Sequence, residues 1–169
     1  MHIQVQHTEK DYRAVVLIHY KTNRWTIVRP ILGFVMVGYT GISFFLLKDY
    51  IIGGFCLFFA AYLFSAKWIY VTRAIKTMKT NRHFGSVSEY EFFQDGRIFA
   101  NSNAGKTEIS LKSVIYYVVN KDWILLYFQK NLFIFFKISE IEKNGILNQL
   151  KLMLDQFGIP PKSSVKGLK

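Results

Sequence analysis

Two uncharged runs separated by a two-residue break constrain this chain more than anything else in it. Pro30 to Leu47 is 18 residues without a charge, Tyr50 to Ala66 is 17 more, and only Lys48 and Asp49 stand between them. At about 1.5 Å per helical residue each run reaches about 26 Å, a little short of a hydrocarbon core of about 30 Å. Flanking side chains make up the difference. Arg29, Lys48 and Lys67 have stems long enough to carry their charges to headgroup level, and Trp25, Tyr50, Trp68 and Tyr70 stand where interfacial aromatics concentrate. A buried hairpin of a soluble protein is the alternative. It would need a larger core than 169 residues can build, because helices apolar all round must be covered on every side. Residues 30–70 therefore read as a transmembrane helical hairpin.

The formal charge of +11 is of the size carried by nucleic-acid binders, but its distribution is not theirs. Residues 1–83 hold 11 Lys and Arg against 3 Asp and Glu, a balance of +8, while residues 84–169 hold 11 against 8, a balance of +3. The excess hugs the apolar runs. Arg13, Lys21, Arg24 and Arg29 precede the first, and Lys67, Arg73, Lys76, Lys79 and Arg82 follow the second, whereas the break offers only Lys48 beside Asp49. Lys and Arg near spans stay on the cytoplasmic side, which puts both termini in the cytoplasm. Arg24, Arg29, Lys67, Arg73, Lys76, Lys79 and Arg82 are the candidate interface residues. Each is attracted to anionic headgroups by about 1 kcal/mol when close to the surface, without selecting a lipid. The one cysteine, Cys56, lies in the second run, so no intramolecular disulfide can form. The first run follows a mixed-charge segment, the arrangement of an uncleaved signal anchor rather than a signal peptide.

Around the hairpin the chain reads as α+β. Met1 to Gln6 alternates, Ile3 and Val5 against Gln4 and Gln6, as a half-buried strand too short to stand alone. Thr8 and Asp11 form an imperfect capping box, and Tyr12, Val15, Val16, His19 and Tyr20 share a helical face that could meet either the soluble part or the headgroups. Residues 71–85 continue the second helix as a basic connector, solvated or lipid-facing. Six strands follow: Ser86 to Phe93, Arg97 to Asn101, Thr107 to Leu111, Ser113 to Asn120, Trp123 to Gln129 and Leu132 to Lys137, joined by short turns such as Gln94-Asp95-Gly96. Ser139 and Glu142 have capping-box spacing ahead of an amphipathic helix, with Ile146, Leu147, Leu150, Leu154 and Phe157 on one face and Gly158, Pro160 and Pro161 as its stop. This gives residues 1–29 as strand and juxtamembrane helix, 86–158 as a soluble domain with one curled antiparallel sheet capped by a helix, and 159–169 as a mobile tail. Residues 1–6 are expected to complete the sheet.

Searching for chemistry yields little. His2, His7, His19 and His83 have no partner at metal-ligand spacing and read as surface or headgroup-level residues. Glu89 and Glu91 share a strand face without burial, and Glu140 and Glu142 belong to a helix start. Asn103 to Thr107 has the residues of a phosphate loop but a strand rather than a helix after it, so it reads as a hairpin turn. Arg97, Lys106, Lys112, Lys121 and Lys130 are spread among acids. The aromatics Tyr116, Tyr117, Trp123, Tyr127, Phe128, Phe133, Phe135 and Phe136 read as β-formers filling a core rather than bases' stacking platforms, so no nucleic-acid partner is expected. No catalytic, cofactor-binding or metal-binding residue is assigned. Gly33, Gly38, Gly41, Gly53 and Gly54 would let the two spans approach, with homodimerisation as the alternative.

The order of these parts, with Thr8-Glu9-Lys10-Asp11-Tyr12, Tyr90-Glu91-Phe92-Phe93 with Asp95-Gly96, and Ser113-Val114-Ile115 to Trp123, resembles the bacterial YcxB-like family. Family members often carry Pro-Lys-Arg after the last strand, where this chain has Phe136-Lys137-Ile138-Ser139. The resemblance implies a C-terminal pleckstrin-like domain, a bent antiparallel sheet capped by one helix, and implies no activity. The expectation is a non-enzymatic interaction module of the bacterial inner membrane, binding membrane lipids and a protein partner. One form of it is an immunity protein that binds a toxin. The alternative is an anionic-lipid-sensing regulatory protein.

Overall fold

The alternation at the N-terminus does form a strand. In the computed structural model, which describes residues 2–22, 25–80, 84–102 and 105–162, β1 (His2–Gln6) buries Ile3 and Val5 and exposes its polar positions. It pairs antiparallel with β2 (Val87–Phe92), His2 opposite Glu91 and Gln6 opposite Val87, so the first strand is completed by residues beyond both long helices. β3 (Arg97–Ser102) and β4 (Gly105–Ser110) extend this ladder in the order β1-β2-β3-β4.

α1 (Glu9–Lys21) starts on a complete capping box. Asp11 N donates to Thr8 Oγ1 at 3.4 Å and Thr8 N donates to Asp11 Oδ2 at 2.8 Å, so Asp closes the box as Glu usually does. α2 (Trp25–Phe45) begins five residues before the uncharged run, with Pro30 in its second turn, where the missing N–H removes only one helical bond. The chain reverses over four residues. Asp49 then caps α3 (Tyr50–Lys79), accepting from the N–H groups of Ile51 and Ile52 at 3.1 and 3.0 Å. At about 1.5 Å per residue α2 runs about 31 Å and α3 about 45 Å, so both are long enough to cross a membrane and α3 overshoots.

Small residues face inward between the two helices. A side chain at Gly33 would meet Phe64 and one at Gly53 would overlap Phe44, and Cys56 and Ala60 are buried beside them. Gly38, Gly41 and Gly54 have open space where a Cβ would go, so only two of the five glycines expected to pack the hairpin do so. Which glycines matter depends on where the opposing aromatics fall.

The overshoot of α3 is not simply solvated. Val71 and Ile75 are buried against Val16 of α1, while Val15 and Ile18, on α1's other side, pack with Trp123, Leu125 and Tyr127. α1 is thus wedged between α3 and a second ladder, made of β5 (Tyr116–Val119), β6 (Trp123–Gln129) and β7 (Leu132–Lys137). Of the two surfaces left open for this helix by its sequence, the soluble part and the headgroups, it is the soluble part that Val15 and Ile18 meet, and Val16 packs on α3 as well.

The expected single sheet is two ladders. The 3-10 turn Leu111–Ser113, capped by Ser110, interrupts the strand expected to reach Leu111 and shortens the next to Tyr116–Val119. Between the ladders lies the main core, with Ile98, Leu111, Ile124, Leu126 and Phe136 at zero exposure. α4 (Ile138–Lys143) leaves β7 directly, with Lys137 at the cap position and no side-chain cap bond, so Ser139 lies inside the helix and the expected Ser139/Glu142 box does not form. Gly145, at φ +69°, breaks the expected single helix; α5 (Ile146–Gln156) follows and buries Ile146, Leu147, Leu150, Met153 and Leu154 in the core. The tail is held at its start. Tyr117 N donates to Pro160 O at 3.2 Å and Lys162 N to Tyr117 O at 2.7 Å, a parallel bridge on the edge of β5.

Candidate functional site

The end of α1, the start of α2 and the three-stranded ladder together line a cleft of about 560 Å³. Tyr20 and Thr22 close it on the α1 side, Trp25, Thr26 and Arg29 on the α2 side, and Tyr70 of α3 stands behind. Tyr116 of β5 and the β6–β7 turn, Lys130 and Asn131, form the floor. Lys162 reaches it only because Pro160 and Pro161 keep the chain extended after α5, letting it bridge to β5 as a strand would.

Arg29, Lys130 and Lys162 charge this cleft, and no carboxylate lines it among the described residues. The Lys162 ammonium lies 4.6 Å from the centroid of the Tyr116 ring, which stacks at 4.5 Å on fully buried Tyr127. Tyr127 Oη is 3.0 Å from His19 Nδ1. Burial holds His19 below its ordinary value, with a hydrogen bond from its ring N–H to the Asn131 side chain opposing the shift and the Lys162 charge adding to it. Burial also raises the phenols of Tyr116 and Tyr127. At neutral pH the site therefore presents fixed cations and neutral hydrogen-bond donors, a combination that attracts an anion.

Of the seven cations singled out from sequence, five are among the described residues, and of these the structure brings Arg29 into this cleft. Lys67, Arg73 and Lys76 are exposed along α3, and Lys79 is spent on an ion pair with Glu9 at 2.6 Å, tying the end of α3 to the start of α1. Arg24 and Arg82 lie outside the described residues. Lys130 was set aside because its neighbours in sequence are mixed in charge, and Lys162 was missed because it follows the helix stop. Two prolines after an amphipathic helix are the signal that could have found Lys162, since they favour extended chain able to add to a sheet edge.

The histidines correct the reading of a uniform surface set. His7 packs 4.2 Å from Phe135 between centroids and lies beside Tyr12 and Trp123; burial drives its pKa down to about 4, against a smaller opposing pull from Asp11. His19 is half-buried as described, His2 is exposed, and His83 lies outside the described residues. Glu89 and Glu91 share a face, as the strand period requires, in a shallow groove of about 120 Å³ with Phe99 and Lys106. Asn103 and Ala104 lie outside the described residues, while Gly105 to Thr107 pair with β3. Arg97 is occupied by Asp95 at 2.6 Å. Among the described residues no three His, Cys, Asp or Glu side chains are grouped to hold a metal. No protein-family model, curated protein or solved structure matches the chain.

Proposed function

We propose that this chain is a non-enzymatic regulatory module of the bacterial inner membrane that engages the anionic surface of that membrane. α2 and α3 are its spans, both termini are cytoplasmic, and the two ladders with α5 form a pleckstrin-like domain of the YcxB-like kind. The observation that carries this reading is the cationic cleft at the root of α2, free of carboxylates among its described lining residues, on a helix that otherwise exposes apolar side chains, Ile27 being 68% and Ile31 58% exposed. Headgroup phosphates lie at the level where a span ends, so cations at that level meet them without further movement. Exposed Lys67, Arg73 and Lys76 supply a weaker, delocalised attraction along α3.

Two measurements test the reading. With Cys56 replaced by Ser, a cysteine placed at Leu47 should react with a membrane-impermeant reagent in cells whose outer membrane has been opened, and one at Ser113 should not; the reverse pattern overturns the topology. Reconstituted protein should unfold at higher temperature when part of a phosphatidylcholine bilayer is replaced by anionic lipid. An unchanged midpoint removes the lipid function. A protein partner, the toxin of an immunity pair included, would have to use the outer face of the four-stranded ladder, where Glu91, Asn101 and Lys106 are exposed around only a shallow groove.

A further inference from the structure

The cleft differs from a generic basic surface in three ways. Its cations come from three places far apart in sequence, the first turns of α2, the β6–β7 turn and the tail, so the fold converges them on one point rather than spreading them along a helix. It is also a concavity with neutral polar groups among the charges, Asn131 and the Tyr116 phenol as donors and Thr22, whose hydroxyl already donates to His19 O at 2.7 Å, as an acceptor. Finally, its volume exceeds that of a bare phosphate and leaves room for a headgroup of several heavy atoms.

The absence of a carboxylate among the described lining residues bears on which headgroup. A headgroup amine brought into the cleft would meet Arg29, Lys130 and Lys162 with no anion of the protein to offset them. An aromatic cage could hold an ammonium instead, but the Tyr116 face already carries the Lys162 ammonium, and Tyr20 and Tyr70 pack on each other at 5.2 Å. Hydroxyl-bearing headgroups face no such conflict, because the neutral side chains can both donate to and accept from them. On the same helix Trp25, which lines the cleft, and Val28, Ile27 and Ile31, which lie outside it, are exposed and offer apolar surface for acyl chains.

We infer that the cleft is a one-to-one site for the headgroup of an amine-free anionic phospholipid, its phosphate held among Arg29, Lys130 and Lys162 and its glycerol-type headgroup by the neutral donors. The inference rests on the surface reading above and goes beyond it by naming one site and one class of ligand. The Pro160 to Lys162 segment closes the site, since the bridge to β5 fixes where the Lys162 ammonium lies.

The test is native mass spectrometry of the full-length protein released from mixed micelles containing phosphatidylcholine, phosphatidylglycerol and phosphatidylserine in equal amounts. Phosphatidylglycerol and phosphatidylserine carry the same net charge, so a generic surface holds them alike. One phosphatidylglycerol per chain should survive, in preference to phosphatidylserine. Substituting Arg29→Gln, Lys130→Gln and Lys162→Gln together should lower its retention by about ten-fold or more, the loss expected when charge-assisted bonds are removed, and Arg73→Gln with Lys76→Gln should not. Lys162→Gln alone lies on the tail outside the core, so its partial loss separates ligand binding from misfolding. Equal retention of the two lipids, or loss in the α3 variant but not in the cleft variant, overturns the site and leaves the surface reading standing. No preference over phosphatidylcholine overturns both. Displacement of the lipid by millimolar glycerol 3-phosphate would reassign the cleft to a soluble phosphate ester and also overturn the lipid assignment.

Discussion

Where α2 and α3 pack on each other the buried residues are mostly small and many large ones face outward, while in the two ladders the large residues are inside. Gly33, Gly53, Cys56 and Ala60 are buried in the hairpin, where Ile51 is 86% and Phe58 74% exposed. In the ladders Tyr127, Phe136 and Leu126 are fully buried and Lys106, Thr107 and Glu108 are exposed. Both regions are close-packed, but for different reasons. Water drives apolar side chains together in the ladders. Between two helices lying in lipid, as proposed for α2 and α3, that drive would be missing, and close backbone approach at small residues provides the contact instead. One chain of 169 residues thus follows two packing rules, and α1 joins them, with Val16 against the helix and Val15 against the sheet.

Substitutions that one rule forbids and the other permits break or sharpen this contrast. The largest expected effect is removal of residues 2–6, which takes Ile3 and Val5 from the core and strips β2 of one of its two partners. The ladders should then be cut by protease under conditions that leave the full chain intact, and an unchanged digestion pattern would show that β1 is dispensable. Next, Leu126→Ala should destabilise by about 3 kcal/mol in denaturant titration in detergent, as buried Leu truncations do, while Phe55→Ala on the exposed side of α3 should shift the transition by less than about 0.5 kcal/mol. Equal effects would mean that both regions obey one rule.

Acid should act through the ladder side. His7 has a pKa of about 4 in the folded chain against an ordinary value near 6.5, so between those limits the unfolded chain binds more protons. Stability should fall as pH drops from 6.5 to 4, by up to about 3 kcal/mol from this group, and be independent of it above 6.5. His7→Phe should flatten the slope in pH-dependent thermal unfolding. The smallest effect discriminates within the hairpin: Gly53→Leu should cost about 2 kcal/mol by overpacking against Phe44, and Gly54→Leu, one position away with open space, should be silent. Identical melting of the two variants would sink the close-approach account.

What could be read from the sequence was local or periodic. The Ile3/Val5 alternation, the Thr8/Asp11 cap, the Asp49 reversal and the limits of β6 and β7 all depend on residues within a few positions of each other. What escaped depends on partners brought from far away. His7 is buried by Trp123 and Phe135, and nothing near position 7 announces them. Ser139 and Glu142 have the spacing of a cap, but the chain enters α4 straight from β7 and turns at Ile138. Of the cleft, Arg29 was visible as a flanking cation, whereas Lys130 and Lys162 become site residues only once the β6–β7 turn and the tail bridge are built.

The pairing of β1 with β2 has a consequence for how the chain is made. Gln6 leaves the ribosome long before Val87, its partner, and both long helices are synthesised in the interval. At about 5–20 residues per second the first strand waits on the order of ten seconds, with Ile3 and Val5 uncovered. With α2 and α3 inserted as proposed, the strand finds its partner only when both helix ends emerge on the same side. Under the proposed topology, a hairpin threaded with its ends on opposite faces would leave β1 and β2 apart, so zipping of this ladder would report that both spans had inserted.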